Sequence, residues 1–188
     1  MKSIRLWLIR HLPPAVPAGV CYGQTDLALQ TPLSQQSDAV NALRQKLPLS
    51  VPVFSSPLRR CAELADMLNR TPLHDQRLKE LHFGHWEMQA WDAIGPEALD
   101  AWAGDLAGFR PPGGETGYEL QQRVLHWLKE ISVIHDEVIV ITHAGVIRAL
   151  QAHQQKLPGA QWLTLRYDYG QLVCLDFTID QIDAAPVQ

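Results

Sequence analysis

The chain has 188 residues, with sixteen Lys and Arg against twenty Asp and Glu and a net charge of -4. Hydrophobic residues make up 46% and charged residues 19%, an ordinary globular composition that excludes a disordered chain or a coiled coil. The acid excess argues against nucleic acid or an anionic membrane as partner.

At this length one domain, 1–188, is expected. Cys21, Cys61 and Cys174 are odd in number and far apart, with no CxxC pair. Neither a disulfide framework nor a cysteine zinc knuckle is expected, and the compartment implied is the reducing cytoplasm. The apolar start of the chain stops at Arg10-His11, too short for a signal-peptide core. No apolar run reaches membrane-spanning length.

Ile4–Ile9 reads as an apolar strand. A helix is expected over Ser34–Lys46, entered at Leu33-Ser34, with Val40, Leu43 and Leu47 on its apolar side. Val51–Phe54 is a short strand stopped by Ser55-Ser56-Pro57. Leu58–Leu68 puts Leu58, Cys61, Ala62, Ala65 and Leu68 on one helical stripe. Residues 87–115 are rich in Gly and Pro around Trp91 and Trp102, and read as an insertion or lid. Thr116–Ser132 is a helix opened by a capping-box spacing, Thr116 to Glu119. Glu137–Thr142 is nearly all β-branched, the pattern of a central parallel strand buried on both faces. A helix over Val146–His153 follows it, then a more alternating strand over Gln171–Thr178. Ala184–Gln188 should be loose. The fold class expected is α/β: three layers, α/β/α, around a mostly parallel sheet, with the inserted segment over the C-terminal edge of the strands.

Ligands of open parallel sheets bind past the C-terminal ends of the strands. There the sequence supplies Arg10-His11, then Ser56-Pro57-Leu58-Arg59-Arg60, then Thr142-His143-Ala144-Gly145. Glu80 joins them from Leu78-Lys79-Glu80-Leu81. Arginine forks suit phosphate oxygens, a neutral imidazole can attack phosphorus, and a carboxylic acid can protonate a leaving alkoxide.

Four stretches occur in the order of the histidine phosphatase superfamily, which contains the cofactor-dependent phosphoglycerate mutases. They are Leu8-Ile9-Arg10-His11, Ser56-Pro57-Leu58-Arg59-Arg60, Leu78 through Glu87, and Val140-Ile141-Thr142-His143-Ala144-Gly145-Val146. The chain resembles that superfamily over most of its length. Cys21 through Leu27, Phe83 through Glu87 and Pro111 through Glu115 are similar to the adenosylcobalamin/α-ribazole phosphatases within it.

The resemblance implies a metal-independent, cofactor-free phosphomonoesterase acting on a small-molecule phosphate ester, as a monomer or homodimer. His11 would be the nucleophile and form a phosphohistidine. Arg10 and Arg60 would clamp the phosphoryl oxygens, with Arg59 a solvated neighbour. His143 would be the second phosphate-pocket histidine. Glu80 would give its proton to the leaving oxygen, and Phe83 and Trp86 are the neighbours that could desolvate it. Tyr22, Gln24, Thr25 and Glu115 are candidate substrate contacts. The subgroup likeness implies α-ribazole 5′-phosphate or adenosylcobalamin 5′-phosphate as substrate, in cobalamin biosynthesis. Core packing is expected for Trp91 and Trp102, with a wall for an aromatic base such as a benzimidazole as the alternative.

The chain also departs from the pattern. The usual Arg-His-Gly-Glu-Thr becomes Arg10-His11-Leu12-Pro13-Pro14, and Pro17 stands at the matching spacing of an Asn that helps to bind phosphate. Leu12 also disfavours the positive φ that glycine allows.

Three other readings compete. A broad-specificity phosphatase or a mutase of the same superfamily is one, although a mutase usually carries longer insertions and a C-terminal tail. A metallohydrolase built on His82-Phe83-Gly84-His85 with His11 or His143 is another, weakened by Gly84 between the ligands and by the lack of clustered acids. A non-catalytic phosphate binder would have no use for Glu80.

Overall fold

A strand that is apolar on both faces must be covered from both sides, so it needs helices above and below it. The computed structural model, which describes residues 2–30 and 37–184, places such a strand at the centre of a five-stranded sheet. The strands are β1 (Ser3–Arg10), β2 (Val53–Ser55), β3 (Leu73–His74), β4 (Glu137–Thr142) and β5 (Leu172–Thr178). Their spatial order is β3-β2-β4-β1-β5. β4 lies between β1 and β2 and is parallel to both, with Ile9 opposite Ile141 and Ser55 opposite Ile141 on the other side. β5 runs antiparallel along β1, pairing Ile9 with Leu172 and Ser3 with Thr178.

The pleat of β4 divides the core. Val138 and Val140 face one side, with α5 (Gly117–Ile134) and α6 (Ala144–Gln155) supplying Leu120, Val124, Trp127, Leu128, Ile147 and Leu150. Ile139 and Ile141 face the other, against α1 (Ser37–Lys46) and α2 (Arg59–Met67) with Val40, Leu43, Cys61, Leu64 and Ala65. The three-layer, mostly parallel α/β architecture expected from the sequence is therefore the architecture found. Thr116 caps α5 in both directions: its hydroxyl accepts from Glu119 N at 3.1 Å, and its own N–H donates to Glu119 Oε2 at 2.8 Å.

Some boundaries shift for local reasons. β2 starts at Val53 rather than Val51, because Pro52 has no N–H for the ladder and offers only its carbonyl, to Ile139 N at 2.9 Å. α6 starts two residues before Val146, directly after His143. β3 is a two-residue edge strand with both side chains exposed, too short for any alternation to announce it. The proposed entry to the first helix at Leu33-Ser34 lies outside the described residues, as do 185–188.

Segment 87–115 contains α3 (Trp91–Ile94) and α4 (Pro96–Gly104). Its two ends meet: Glu115 N donates to His82 O at 2.9 Å and His85 N to Pro112 O at 2.8 Å. Gly84, at φ +57, sits in that junction. A Cβ there would lie 2.2 Å from Pro112 O and 2.4 Å from Gly114 N, so only glycine lets the ends close. Among the described residues, no helix is long and apolar enough to cross a membrane. α7 (Ile179–Asp183) ends the described chain against α5.

Candidate active site

Parallel β1, β2 and β4 deliver their last residues to one edge. His11 N donates to Thr142 O at 3.0 Å and Ser56 N to Ile141 O at 2.9 Å, so the three strand ends are bonded to each other before any side chain is considered. Arg10, His11, Ser56, Arg60 and His143 gather there, as the sequence predicts.

His11 is fully buried and its ring is fixed at both nitrogens. Nδ1 lies 2.7 Å from the Leu12 carbonyl. A carbonyl only accepts, so Nδ1 carries the proton and Nε2 is left as the basic nitrogen. Arg60 Nε donates to that Nε2 at 3.2 Å. Arg60 is itself buried, with its other nitrogens donating to Thr25 O at 2.8 Å and Gly23 O at 2.7 Å. Arg10 donates to Tyr167 O at 2.5 Å, and its Nε is buried with no acceptor among the described residues.

His143 stands at the N-terminus of α6, its ring centroid 5.0 Å from that of His11. Its Nε2 lies 2.8 Å from Ser56 Oγ. Burial, and then the Arg60 guanidinium, hold both imidazoles well below the ordinary histidine range, so both are neutral at pH 7. Cys61 lies beneath, 3.5 Å from His143 Nε2, and burial pushes its thiol up to about 12, which keeps it protonated.

Glu80 is half-buried and its carboxylate accepts from Leu81 N at 2.8 Å and Gly145 N at 3.2 Å. It separates two cavities that also share Phe83 and Trp91. The larger, about 590 Å³, is bordered by Arg10, Tyr22 and Tyr169. The smaller, about 190 Å³, is walled by Trp102, Leu106, Leu120 and Trp162, with Arg148 as its one basic residue among those described. Phe83 therefore contributes the apolar surface expected beside Glu80, whereas Trp86 is buried elsewhere, stacked on Phe109 at 5.6 Å. Trp102 packs against the main core as expected, and with Trp91 it also takes up the alternative position, a wall of the smaller cavity. They stack on each other at 5.5 Å, half-buried.

The remaining predicted contacts divide. Tyr22 faces the larger cavity. Gln24 and Thr25 are occupied by Glu87: Gln24 N donates to Oε1 at 2.9 Å and Thr25 Oγ1 to Oε2 at 2.6 Å. Gln24 Nε2 also donates to the Glu80 carbonyl at 3.0 Å. Glu115 pairs with Arg123 at 2.6 Å, and Arg123 donates to the same Glu80 carbonyl at 2.9 Å. These three residues border neither cavity; Gln24 directly and Glu115 through Arg123 hold the Glu80 carbonyl, while Thr25 holds Glu87. Arg59 is exposed and paired with Glu63, the solvated neighbour expected. His82 is 3.9 Å from Glu87, and among the described residues no cluster of three or more His, Cys, Asp or Glu is arranged to hold a metal ion.

Tyr169, Ser56, Glu87 and Arg148 were not assigned roles from the sequence. Tyr169 precedes β5. Because β5 is antiparallel, its start rather than its end lies at this edge, and a search restricted to residues after strands passes over it. Arg148 could have been found as the residue one turn after Gly145 on the same helix face.

The family model described as "Histidine phosphatase superfamily (branch 1)" matches residues 6–185. A glucosyl-3-phosphoglycerate phosphatase of Mycobacterium tuberculosis is 33% identical over 184 residues, covering 88% of this chain and 81% of that protein. An adenosylcobalamin/alpha-ribazole phosphatase of Salmonella typhimurium is 26% identical over 183 residues, covering 92% and 90%. The native structure of the mycobacterial glucosyl-3-phosphoglycerate phosphatase superposes with a TM-score of 0.79 at 28% identity, covering 93% of this chain and 91% of that one.

Proposed function

The chain belongs to the histidine phosphatase superfamily and is a phosphoric monoester hydrolase, and on that premise we propose that it works without metal through a phosphohistidine on His11. The observation that carries this reading is the His11 ring, with its proton fixed on Nδ1 by Leu12 O and its basic Nε2 facing Arg60.

Phosphoryl transfer asks a protein chiefly to position and to neutralise charge. Nε2 attacks phosphorus; the N–P bond forms as the P–O bond breaks, and Glu80 gives its proton to the leaving alkoxide. Water then attacks the phosphohistidine while Glu80 takes a proton from it; the new P–O bond forms as the P–N bond to Nε2 breaks, and inorganic phosphate leaves. Arg10 and Arg60 neutralise the transferring oxygens, and His143, oriented by Ser56, donates to one of them. Tyr22 contacts the substrate, while Gln24, Thr25 and Glu115 position the Glu80 loop. In this reading the chain is one domain, 87–115 is a flap over the leaving-group side, and the three free cysteines suit a cytoplasmic setting.

The aromatic wall of Phe83, Trp91 and Trp102 beside Glu80 supports α-ribazole 5′-phosphate or adenosylcobalamin 5′-phosphate as substrate, and with it a role in cobalamin biosynthesis. Arg148 favours a second reading. It borders the same cavity, its Nε donates to Leu165 O at 3.1 Å, and its acidic neighbour there is Glu80, with which it makes no direct ion pair among the described residues. A leaving group with its own carboxylate, as in glucosyl-3-phosphoglycerate, would give it a direct ion pair.

Phosphate release in EDTA separates the readings. Wild type should cleave p-nitrophenyl phosphate and His11→Ala should not. A preference for α-ribazole 5′-phosphate over glucosyl-3-phosphoglycerate supports the first substrate, and the reverse supports the second. Activity that survives His11→Ala, or that disappears with EDTA, overturns the mechanism.

A further inference from the structure

The loop after the nucleophile lacks a donor where the family pattern has one, since Pro17 has no side-chain N–H or O–H. Two phenols close over the same place. Tyr22 Oη lies 3.0 Å from Tyr169 Oη, and both residues border the larger cavity together with Arg10 and Pro17. The His11 ring centroid is 6.4 Å from that of Tyr22 and 5.6 Å from that of Tyr169. The Tyr169 ring lies 3.8 Å from the Arg10 guanidinium and the Tyr22 ring 5.2 Å from that of Arg60. The two bonded tyrosines thus lay one ring by each arginine, on either side of the nucleophile's neighbourhood.

The other departure from the pattern explains why Tyr169 is there. Leu12, in place of glycine, is buried, and its Cδ2 lies 2.9 Å from where a Cβ on Gly170 would be. Gly170, at φ +72, donates to the carbonyls of Arg10 at 3.1 Å and His11 at 3.3 Å. Residue 170 is bare where residue 12 is large, and the turn that carries Tyr169 is tied to the backbone of the nucleophile itself.

Two hydroxyls hold two protons. One is used in the bond between them, and the other is free for an outside acceptor. We propose that Tyr22 and Tyr169 form a hydroxyl bridge beside His11 that donates to a non-bridging phosphoryl oxygen, in place of the carboxamide that the family pattern puts at position 17. The proposal rests on the phosphohistidine reading of this site, and it makes both tyrosines phosphate-binding residues.

The bridge has an unusual signature. Removing either hydroxyl frees the other to donate alone, so one donor survives. Removing both leaves none. Tyr22→Phe and Tyr169→Phe should each change kcat/KM for p-nitrophenyl phosphate by no more than about threefold, and the double variant should lose about 10- to 100-fold, the cost of a lost donor to a charged oxygen. The Ki of inorganic phosphate should rise in parallel, while thermal melting stays at the wild-type temperature. In the wild type, phosphate titration should perturb the tyrosine bands of the near-ultraviolet difference spectrum, a readout that needs no variant. An unchanged double variant, with unchanged phosphate Ki and no tyrosine perturbation, overturns the bridge and leaves the phosphohistidine reading standing. A His11→Ala variant that still turns over sinks that reading, and the phosphate Ki of the double variant then still decides whether the bridge binds phosphate.

Discussion

Arg60 Nε points at His11 Nε2 across 3.2 Å, so a buried cation faces the one nitrogen of the nucleophile that carries a lone pair. Burial, and then this cation, keep the imidazole neutral, and the same guanidinium is placed to meet the oxygens of any phosphoryl group that arrives there. Charge and geometry therefore serve one purpose at this contact: the ring is left basic at Nε2, and the arriving anion meets its counter-charge beside it.

Arg60→Lys keeps the charge and loses the fork that simultaneously reaches His11, Gly23 O and Thr25 O. kcat/KM for p-nitrophenyl phosphate should fall about 100- to 1,000-fold, in line with removal of one transition-state donor. A loss under threefold would mean that charge alone is what the site needs.

The two site histidines also set a pH dependence of stability. Their folded pKa values lie below the ordinary value near 6.5, so below that pH the unfolded chain binds protons that the folded chain does not. Stability is therefore retained above about pH 6.5 and falls as the pH drops below it, by up to about 1.4 kcal/mol per pH unit for each histidine. Urea unfolding at pH 7.5, 6 and 5 should give this slope, and His143→Asn should make it shallower. A stability that is level from pH 7.5 to 5 would contradict the buried neutral pair. Saturating phosphate should oppose the acid loss, because an anion beside both rings favours their protonated forms.

Gly145→Ala tests the placing of Glu80. The added methyl would lie 2.0 Å from Glu80 Oε1, so the carboxylate must leave its seat on the N-terminus of α6. Alanine is otherwise a better helix residue than glycine by about 1 kcal/mol. The variant should melt no lower than wild type, hold the wild-type phosphate Ki, and lose about 100-fold or more in kcat with an alkyl phosphate, the size of a general-acid contribution. The loss should be smallest with p-nitrophenyl phosphate, whose leaving group needs little protonation, and largest with an alkyl phosphate.

Thr116→Ala is the complementary control. It breaks the capping box of α5 at a residue that borders neither cavity itself, although Gly117 beside it lines the smaller one, and should cost about 1 kcal/mol of stability with kcat/KM unchanged. An activity loss there would show that α5 sets the position of the Glu80 loop through Arg123.

Most of the scaffold was legible in the chain because β4 is apolar on both faces and has a distinct helix after it. Arg10, His11, Arg60 and His143 could be brought together on paper because each lies at or just past the end of a parallel strand, and parallel strands end on the same edge. Glu80 came from motif order alone; no periodicity pointed to it. Tyr169 was hidden by strand direction, since the antiparallel sense of β5 follows from its pairing with β1 and not from its own residues. Gln24, Thr25 and Glu115 look like ligands in sequence because they are polar and lie in loops. Glu87, which bonds Gln24 and Thr25, is more than sixty residues away along the chain, and Arg123 pairs with Glu115 across the start of α5, so only the fold shows these bonds.

The central claim is a covalent bond between phosphorus and His11. The most direct test is a rapid quench into alkali of enzyme mixed with a ³²P-labelled phosphate ester in EDTA, followed by peptide mapping. Label that is stable in alkali, lost in acid, located on the peptide containing His11 and absent from His11→Ala would be the predicted phosphohistidine. Full turnover with no labelled peptide at any quench time, or label that remains in His11→Ala, would contradict it.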